Sequence, residues 1–288
     1  MYMWGIKMGR IHLYYKVLKY YILGNIVTAG DIGNSYNRVS GGYNEQFLNT
    51  MQKYNVVMLS QLNLPKEARV LDLACGTGFN SEWLLSIRPK YQIDAVDISE
   101  GMLKQAEMRL GGKASLFKAS MLDFLKSCED ESYDRIVCSW ALKYQPPAQV
   151  LKECKRVLKA GGELGLILNS KNTLPEVRKI YKRLLIKNSK NIKKLMLELP
   201  NPKDERQLSH WLKKAGFQET RTFRGMQKFS FASTAAMTEW MTSTGALAGF
   251  DVMVDLRDTA VKGQISELFI KYGMSSITHD FVWGIAKK

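Results

Sequence analysis

Two acids and a pair of glycines carry the chemistry that can be read from this chain. Asp72 precedes Gly76 and Gly78 in Val70-Leu71-Asp72-Leu73-Ala74-Cys75-Gly76-Thr77-Gly78, and Asp97 follows Gly78 by nineteen positions. Glycines at a strand-to-helix turn let the backbone come close to a ligand, and the helix that follows offers free N–H groups and the positive end of its dipole. An acid about 20 residues beyond such a turn is placed to bind ribose hydroxyls. The chemistry implied is the holding of a nucleotide-type cofactor. A dinucleotide turn would read G-x-G-x-x-G, and here the third position is Ser81, so a nicotinamide-dependent dehydrogenase is disfavoured.

The elements that must position these residues alternate. Strands are expected at Arg69–Ala74, Tyr91–Asp97, Ser115–Lys118, Tyr133–Ser139 and Glu163–Asn169. Helices are expected between them at Phe79–Ser86, Ser99–Leu110, Met121–Ser127 and Pro147–Leu158, with Ser99 as an N-cap. Such alternation implies a parallel sheet with helices on both faces. Upstream, Thr28–Gly42 reads as loop and Tyr43–Leu62 as one helix with an apolar stripe of Phe47, Met51, Tyr54, Met58 and Leu62. Downstream, Leu174–Ile186 and Asn191–Leu199 read as two lysine-rich helices, and Glu205–Ala215 as a helix closed by Gly216 before a strand at Phe217. The stretch Met226–Phe250 reads as an insertion with partial helix, Ala260–Tyr272 as a helix and Ser276–Ala286 as a last strand.

The turn Asp72–Gly78 resembles motif I of the class I S-adenosylmethionine-dependent methyltransferases, of the small-molecule type. The resemblance covers roughly residues 36–167 and extends to Asp97-Ile98-Ser99-x-x-Met102-Leu103, Tyr133-Asp134-Arg135-Ile136-Val137 and Arg156-Val157-Leu158-Lys159-Ala160-Gly161-Gly162. It implies a Rossmann-like α/β fold with a seven-stranded sheet, mostly parallel with the last strand antiparallel, helices on both faces and helical lid insertions. It implies S-adenosyl-L-methionine as cofactor, with S-adenosyl-L-homocysteine as product, and in-line methyl transfer to a small or medium-sized acceptor. The cofactor-binding residues it implies are Asp72, Ala74, Cys75, Gly76, Gly78, Asp97, Ile98, Met102, Ser120, Met121 and Ser139. Ser120 stands where the family often has an acid for the adenine amino group. A serine oxygen can still accept that hydrogen bond.

Substrate-side candidates are Tyr43, at a segment that often closes over the cofactor in this family, and Trp140 and Tyr144, with Lys143 between them, after the fourth strand. Open α/β sheets place ligands at that carboxyl edge. For Trp140, core packing competes with ligand contact. No residue is assigned as a catalytic base, His210 and His279 being lone histidines.

The organisation expected is an N-terminal amphipathic helical extension (1–35), a cofactor-binding core (36–170), and a helical lid with the completion of the same sheet (171–288). The four cysteines, Cys75, Cys128, Cys138 and Cys154, form no C-x-x-C pair. This argues against a metal site or a disulfide framework and fits a reducing cytoplasm. In the extension, Trp4, Ile11, Tyr15, Leu18 and Ile22 share one helical face, and His12, Lys16 and Lys19 a neighbouring one. That face suits either a peripheral contact with a membrane through residues 4–22 or packing on the protein itself or a second subunit. The net charge is +15, and residues 170–228 hold 16 Lys plus Arg against 5 Asp plus Glu. Such a segment could attract an acidic partner, whereas nucleic acid lacks a reading motif here.

Two acceptor classes stay open. Residues 237–250 faintly resemble malonyl-carrier-protein O-methyltransferases, and the basic segment would suit an acyl carrier protein. A membrane lipid or quinone would suit the N-terminal helix. The non-enzyme alternative is an inactive cofactor-binding subunit.

Overall fold

The structure is a computed structural model that describes residues 2–288, with side chains from Met8 onward. In chain order the elements are α1 (Tyr2–Ile22), α2 (Ala29–Val39), α3 (Asn49–Leu59), β1 (Arg69–Leu73), α4 (Phe79–Ile87), β2 (Gln92–Asp97), α5 (Glu100–Leu110), β3 (Ser115–Lys118), α6 (Met121–Ser127) and β4 (Tyr133–Ser139). They continue with α7 (Pro147–Val157), β5 (Leu158–Asn169), α8 (Pro175–Lys187), α9 (Glu205–Lys214), β6 (Glu219–Ser230), α10 (Thr234–Ser243), α11 (Thr259–Lys271) and β7 (Ser276–Lys287). The chain forms two compact units, one of residues 36–173, 199–226 and 280–288, the other of residues 1–35, 174–198 and 227–279.

The first unit holds the sheet that the sequence predicts. The strand order is β3-β2-β1-β4-β5-β7-β6, with β1 to β5 parallel and β7 antiparallel to β5. Central strands read as continuous apolar runs because both faces are covered. Val70, Leu71, Leu73, Ile136 and Val137 are all fully buried. The order places the carboxyl ends of β1 and β4 side by side, and β2 beside β1. In open sheets ligands bind at such a switch in strand order. β5 begins earlier than expected. Leu158 already pairs with Tyr133, and Lys159–Gly162 form an irregularity before Glu163 pairs with Arg135, so the Gly161-Gly162 turn is absorbed into the strand. The strand expected at Phe217 starts instead at Glu219 and runs on through Met226 to Ser230, which takes the start of the expected insertion into β6.

Of the stretch 28–42 expected as loop, Ala29–Val39 is the helix α2 and residues 40–42 are a turn. Thr28 and Asp31 close a reciprocal cap: the Thr28 N–H donates to the Asp31 carboxylate at 2.8 Å, and the Asp31 N–H donates to Thr28 Oγ1 at 3.2 Å. This satisfies the helix start and launches α2 in spite of its glycines. The single helix expected over Tyr43–Leu62 is instead a π-helical turn at Asn44–Leu48 followed by α3. Met51, Met58, Phe47 and Leu62 are buried as the apolar stripe requires.

In the second unit, α1 lies against α8 and the 3-10 turn Ser189–Asn191. Gly9 makes that approach possible, since a Cβ there would sit 2.7 Å from the Ile186 carbonyl oxygen. The expected helix at Asn191–Leu199 does not form. Leu195 bridges to Ile26 in parallel, its N–H donates to the Asn25 carbonyl at 2.9 Å, and Lys194 pairs with Asp31 at 2.7 Å. Extended pairing outweighs local helix propensity there. The face of α1 read as apolar from the sequence is turned outward: Ile11, Tyr15, Leu18 and Ile22 are 58–72% exposed. The Trp4 side chain lies outside the described residues.

Candidate functional site

The site is built where β1, β2 and β4 end. After β1 the chain turns through Ala74, at φ +59°, and Gly76, at φ +56°, and reaches Gly78, at φ +82°, the N-cap of α4. A Cβ on Gly76 would meet nothing within 4 Å, so the turn faces open space, whereas one on Gly78 would lie 3.2 Å from Ala106 and Leu110 of α5. The first glycine keeps a cradle open, and the second lets two helices close up. Cys75 is buried, which pushes its thiol well above the usual range and leaves it unreactive.

Asp97 fastens this turn to β2. One carboxylate oxygen accepts the Gly76 N–H at 2.9 Å and the other accepts the Ser99 N–H at 2.8 Å. Burial raises the pKa of its carboxyl against those hydrogen bonds. Ser99 caps α5 as expected, accepting from the Met102 N–H at 3.1 Å, and Met102 is buried. Ile98 beside them is half-buried.

Asp72 is wholly buried and accepts from Ser81 Oγ at 2.7 Å and Asn80 Nδ2 at 3.3 Å. Burial pushes its carboxyl up to about 6, with a further rise from the Asp97 charge. Asn80 also donates to Ser139 Oγ at 3.1 Å and accepts from Asn55 Nδ2 at 2.9 Å, and Asn55 in turn accepts from Trp140 Nε1 at 2.9 Å. The buried polar chain Trp140–Asn55–Asn80–Asp72 was not legible in the sequence. Asn55 and Asn80 sit on α3 and α4, polar residues on otherwise core-facing sides of two helices, and that was the available signal.

The aromatic candidates are placed as follows. Trp140, at φ +66°, is buried, with Phe47 and Phe281 against its ring. Tyr144 bonds the Tyr36 hydroxyl at 2.9 Å, and Tyr43 is half-buried between Tyr36 and Phe47. Lys143 is buried with its ammonium donating to the Trp140 carbonyl at 2.7 Å, and burial pushes its pKa down to about 7. Ser120 is an N-cap, its hydroxyl donating to Asp123 at 2.7 Å, and Met121 behind it is buried. His210 is exposed on α9, and His279 is buried in β7.

The segment before α3 is pinned over the turn. Asn37 Oδ1 accepts from Ser99 Oγ at 2.7 Å and the Gly101 N–H at 2.9 Å, and Asn44 Oδ1 accepts from Thr77 Oγ1 at 2.7 Å. Sequence reasoning had no hold on either asparagine.

Residues 70–162 match the methyltransferase domain family. Similar curated proteins include a demethylmenaquinone methyltransferase of Clavibacter sepedonicus, 29% identical over 65% of this chain and 82% of that one. The match over residues 70–162 and the sheet order are those of the S-adenosylmethionine-dependent methyltransferases. A malonyl-[acyl-carrier protein] O-methyltransferase of Bacillus cytotoxicus is 31% identical over 55% of each chain, so this chain spans about half the length of that relative. Among solved structures, the [4+2]-cyclase SpnF is similar in fold, with a TM-score of 0.57 at 16% identity over 91% of this chain and 97% of that one. The fold alone therefore does not fix the reaction.

Proposed function

We propose that this methyltransferase moves the methyl group of S-adenosyl-L-methionine to an apolar, lipid-like acceptor of small or medium size, working in the cytoplasm at the surface of a membrane. The cofactor supplies an electrophilic methyl carbon, and S-adenosyl-L-homocysteine is the product. The observation that supports its place is a pair of acids at the turn, Asp72 wholly buried and Asp97 half-buried. The Asp97 charge raises the cost of ionising Asp72, and a cationic amino-acid tail would relieve it, whereas a diphosphate would be repelled. Gly76 leaves the cradle open and Asp97 keeps lone pairs for ribose hydroxyls. Ala74, Cys75, Gly78, Ile98, Met102, Met121 and Ser139 form the remaining wall. Ser120 is assigned to the adenine edge, sharing its hydroxyl with the α6 cap.

Within this reading Tyr43, Trp140 and Tyr144 border the acceptor, Trp140 mainly by holding its neighbours. The chain's part is to orient the acceptor and exclude water. The lipid-like acceptor is favoured by α1, which exposes Ile11, Tyr14, Leu18, Tyr21 and Ile22 beside Arg10 and Lys19. Aromatic and aliphatic residues flanked by cations are the pattern of a helix lying in a bilayer interface. Among the described residues no helix is long and apolar enough to cross a membrane. A carrier-bound carboxylate is the second reading, favoured by the malonyl-type relative and the basic segment 170–228.

Calorimetric titration with S-adenosyl-L-methionine and S-adenosyl-L-homocysteine tests the cofactor assignment, with binding of both expected. Absence of binding by either overturns it. Sedimentation with anionic vesicles, and its loss in Leu18→Ser/Ile22→Ser, tests the membrane contact. Activity that needs no vesicles but falls steeply with salt would favour the carrier-bound acceptor instead.

A further inference from the structure

A lysine is seldom fully buried unless an acid is paired with it. Lys143 is only 7% exposed and pairs with no acid among the described residues. Its ammonium donates to one acceptor, the Trp140 carbonyl at 2.7 Å, and otherwise lies over the Tyr144 ring, 4.6 Å from the centroid. An ammonium carries three N–H donors, so the rest are left without a protein oxygen. A buried cation held this way is costly, and burial drives its pKa down to about 7. The backbone adds to the cost. Trp140, whose carbonyl the lysine holds, takes a left-handed φ of +66°. Such strain in a residue other than glycine persists only where its surroundings enforce it, and it clusters at ligand sites.

Lys143 is also on the ligand side of the sheet. It lies in the 3-10 turn Leu142–Tyr144, just past the carboxyl end of β4. Burial pushes the Cys138 thiol of β4 up to about 12, the Asp72 and Asp97 charges push the same way, and the Lys143 charge opposes them. Lys143 is therefore within electrostatic reach of the strand end that faces both acids. Beside it, the Tyr144 and Tyr36 hydroxyls bond at 2.9 Å, and Tyr36 stands edge-on to Tyr43. Burial, Tyr36 and the Asp97 charge together push the Tyr43 hydroxyl up, which brings this aromatic row back to the cofactor acid. The lysine sits among the residues assigned above to the acceptor.

We propose that Lys143 sets acceptor specificity by binding an oxyanion of the acceptor. The proposal rests on the apolar-acceptor reading above and narrows it to an apolar molecule with an ionisable oxygen. Two sources share that chemistry, the hydroxyl of a phenol or enol and a carboxylate. A hydroxyl arrives protonated. Its O–H bond breaks, the proton forms an N–H bond on the neutral Lys143 amine, and an oxyanion is left against an ammonium. A carboxylate arrives as the anion and pairs with the ammonium directly. Either way the buried cation gains the charge-assisted partner that the chain itself withholds.

The test uses the full chain with S-adenosyl-L-homocysteine and four probes: naphthol, naphthoate and naphthamide of the same ring position, and acetate. Affinities are read by calorimetry at neutral pH, and the ionisation of bound naphthol by the ultraviolet absorbance of its anion. Wild type is expected to bind naphthol or naphthoate about tenfold or more tighter than the neutral amide. Lys143→Met, which keeps the length and loses the charge, is expected to bind them alike. Naphthol bound as its anion assigns a phenol or enol acceptor, and a preference confined to naphthoate assigns a carboxylate. Because Lys143→Met removes a buried charge, its thermal midpoint is expected to hold or rise. A lower midpoint with unchanged probe affinities would make Lys143 a strut for the Trp140 carbonyl and overturn the proposal. Equal binding of anions and amide by wild type overturns it too, while leaving the apolar acceptor standing. Acetate as tight as naphthoate, and still dependent on Lys143, would instead keep the oxyanion site and remove the apolar acceptor. No binding of any probe overturns both.

Discussion

The carboxylate of Asp97 accepts the backbone N–H of Gly76 at 2.9 Å, which ties the acid at the end of one strand to the glycine turn at the end of its neighbour. The two features that the sequence separates by twenty residues are thereby one object. Asp97 sets the turn and, on the proposed cofactor assignment, also faces the ribose. Replacing Asp97→Ala would then remove a ribose partner and free the turn together. S-adenosyl-L-methionine binding is expected to weaken by about 1–3 kcal/mol, read by calorimetry. Unchanged affinity would remove Asp97 from the site.

Gly76 and Gly78 are expected to fail differently. An alanine at 78 adopts φ +82° and presses on Ala106 and Leu110 at 3.2 Å, so Gly78→Ala should lose about 1–3 kcal/mol of unfolding free energy. An alanine at 76 meets open space and costs only the left-handed strain, about 1–2 kcal/mol. Its methyl would project into the cradle, so its larger effect should fall on cofactor affinity. Denaturant melts and cofactor titrations of both variants check the crossing pattern. Equal stability loss with equal affinity would contradict it.

Asp72 makes stability depend on pH in an unusual direction. Its folded pKa is about 6, against 3.8 for an ordinary aspartate. Near pH 4 and below, the proton is bound in the folded chain. As pH rises the unfolded chain releases its proton first, so this group's contribution to stability declines until about pH 6–7 and is then flat. Most buried-site carboxylates held by cations act oppositely. In urea melts of the cofactor-free protein, the stability of wild type relative to Asp72→Asn should fall by about 1–3 kcal/mol between pH 4 and pH 7. A difference that stays level, or that grows with pH, would mean the carboxyl is not raised.

Much of this fold was legible because periodicity and punctuation are local. The β1–α4–β2 unit, the Ser99 cap and the antiparallel β7 follow from apolar runs, turn residues and the family resemblance. What was missed has two physical sources. Thr28–Asp31 is a local cap hidden among glycines, a signal present and outweighed by composition. The extended course of residues 192–199 depends on pairing with Asn25–Val27, some 170 residues away, and no local pattern encodes it. The acids and glycines proposed for the site could be chosen in advance because their types are chemically specific, and the structure brings Asp72, Gly76, Gly78 and Asp97 to one turn. Asn37, Asn44, Asn55 and Asn80, which hold those residues in place, could not, since an asparagine in a helix acquires its meaning only from what it faces.

That supporting set leads to a test of how Trp140 acts. Its indole N–H donates to Asn55, which donates to Asn80, which donates to Asp72, and Asn55 is only 2% exposed. Trp140→Phe keeps most of the ring and leaves the Asn55 oxygen without that donor, a loss of about 1–3 kcal/mol in stability. Asn80→Ala breaks the chain one step further on. Because both changes act through Asn55, their effects should not add, and the double variant should differ from the sum by at least about 0.5 kcal/mol. Cofactor affinity should fall in Asn80→Ala, which strips Asp72 of a donor, and less in Trp140→Phe. Strict additivity would mean that Trp140 serves this protein through ring packing against Phe47 and Phe281 alone, with Asp72 oriented by Ser81 and Asn80 without help from Trp140.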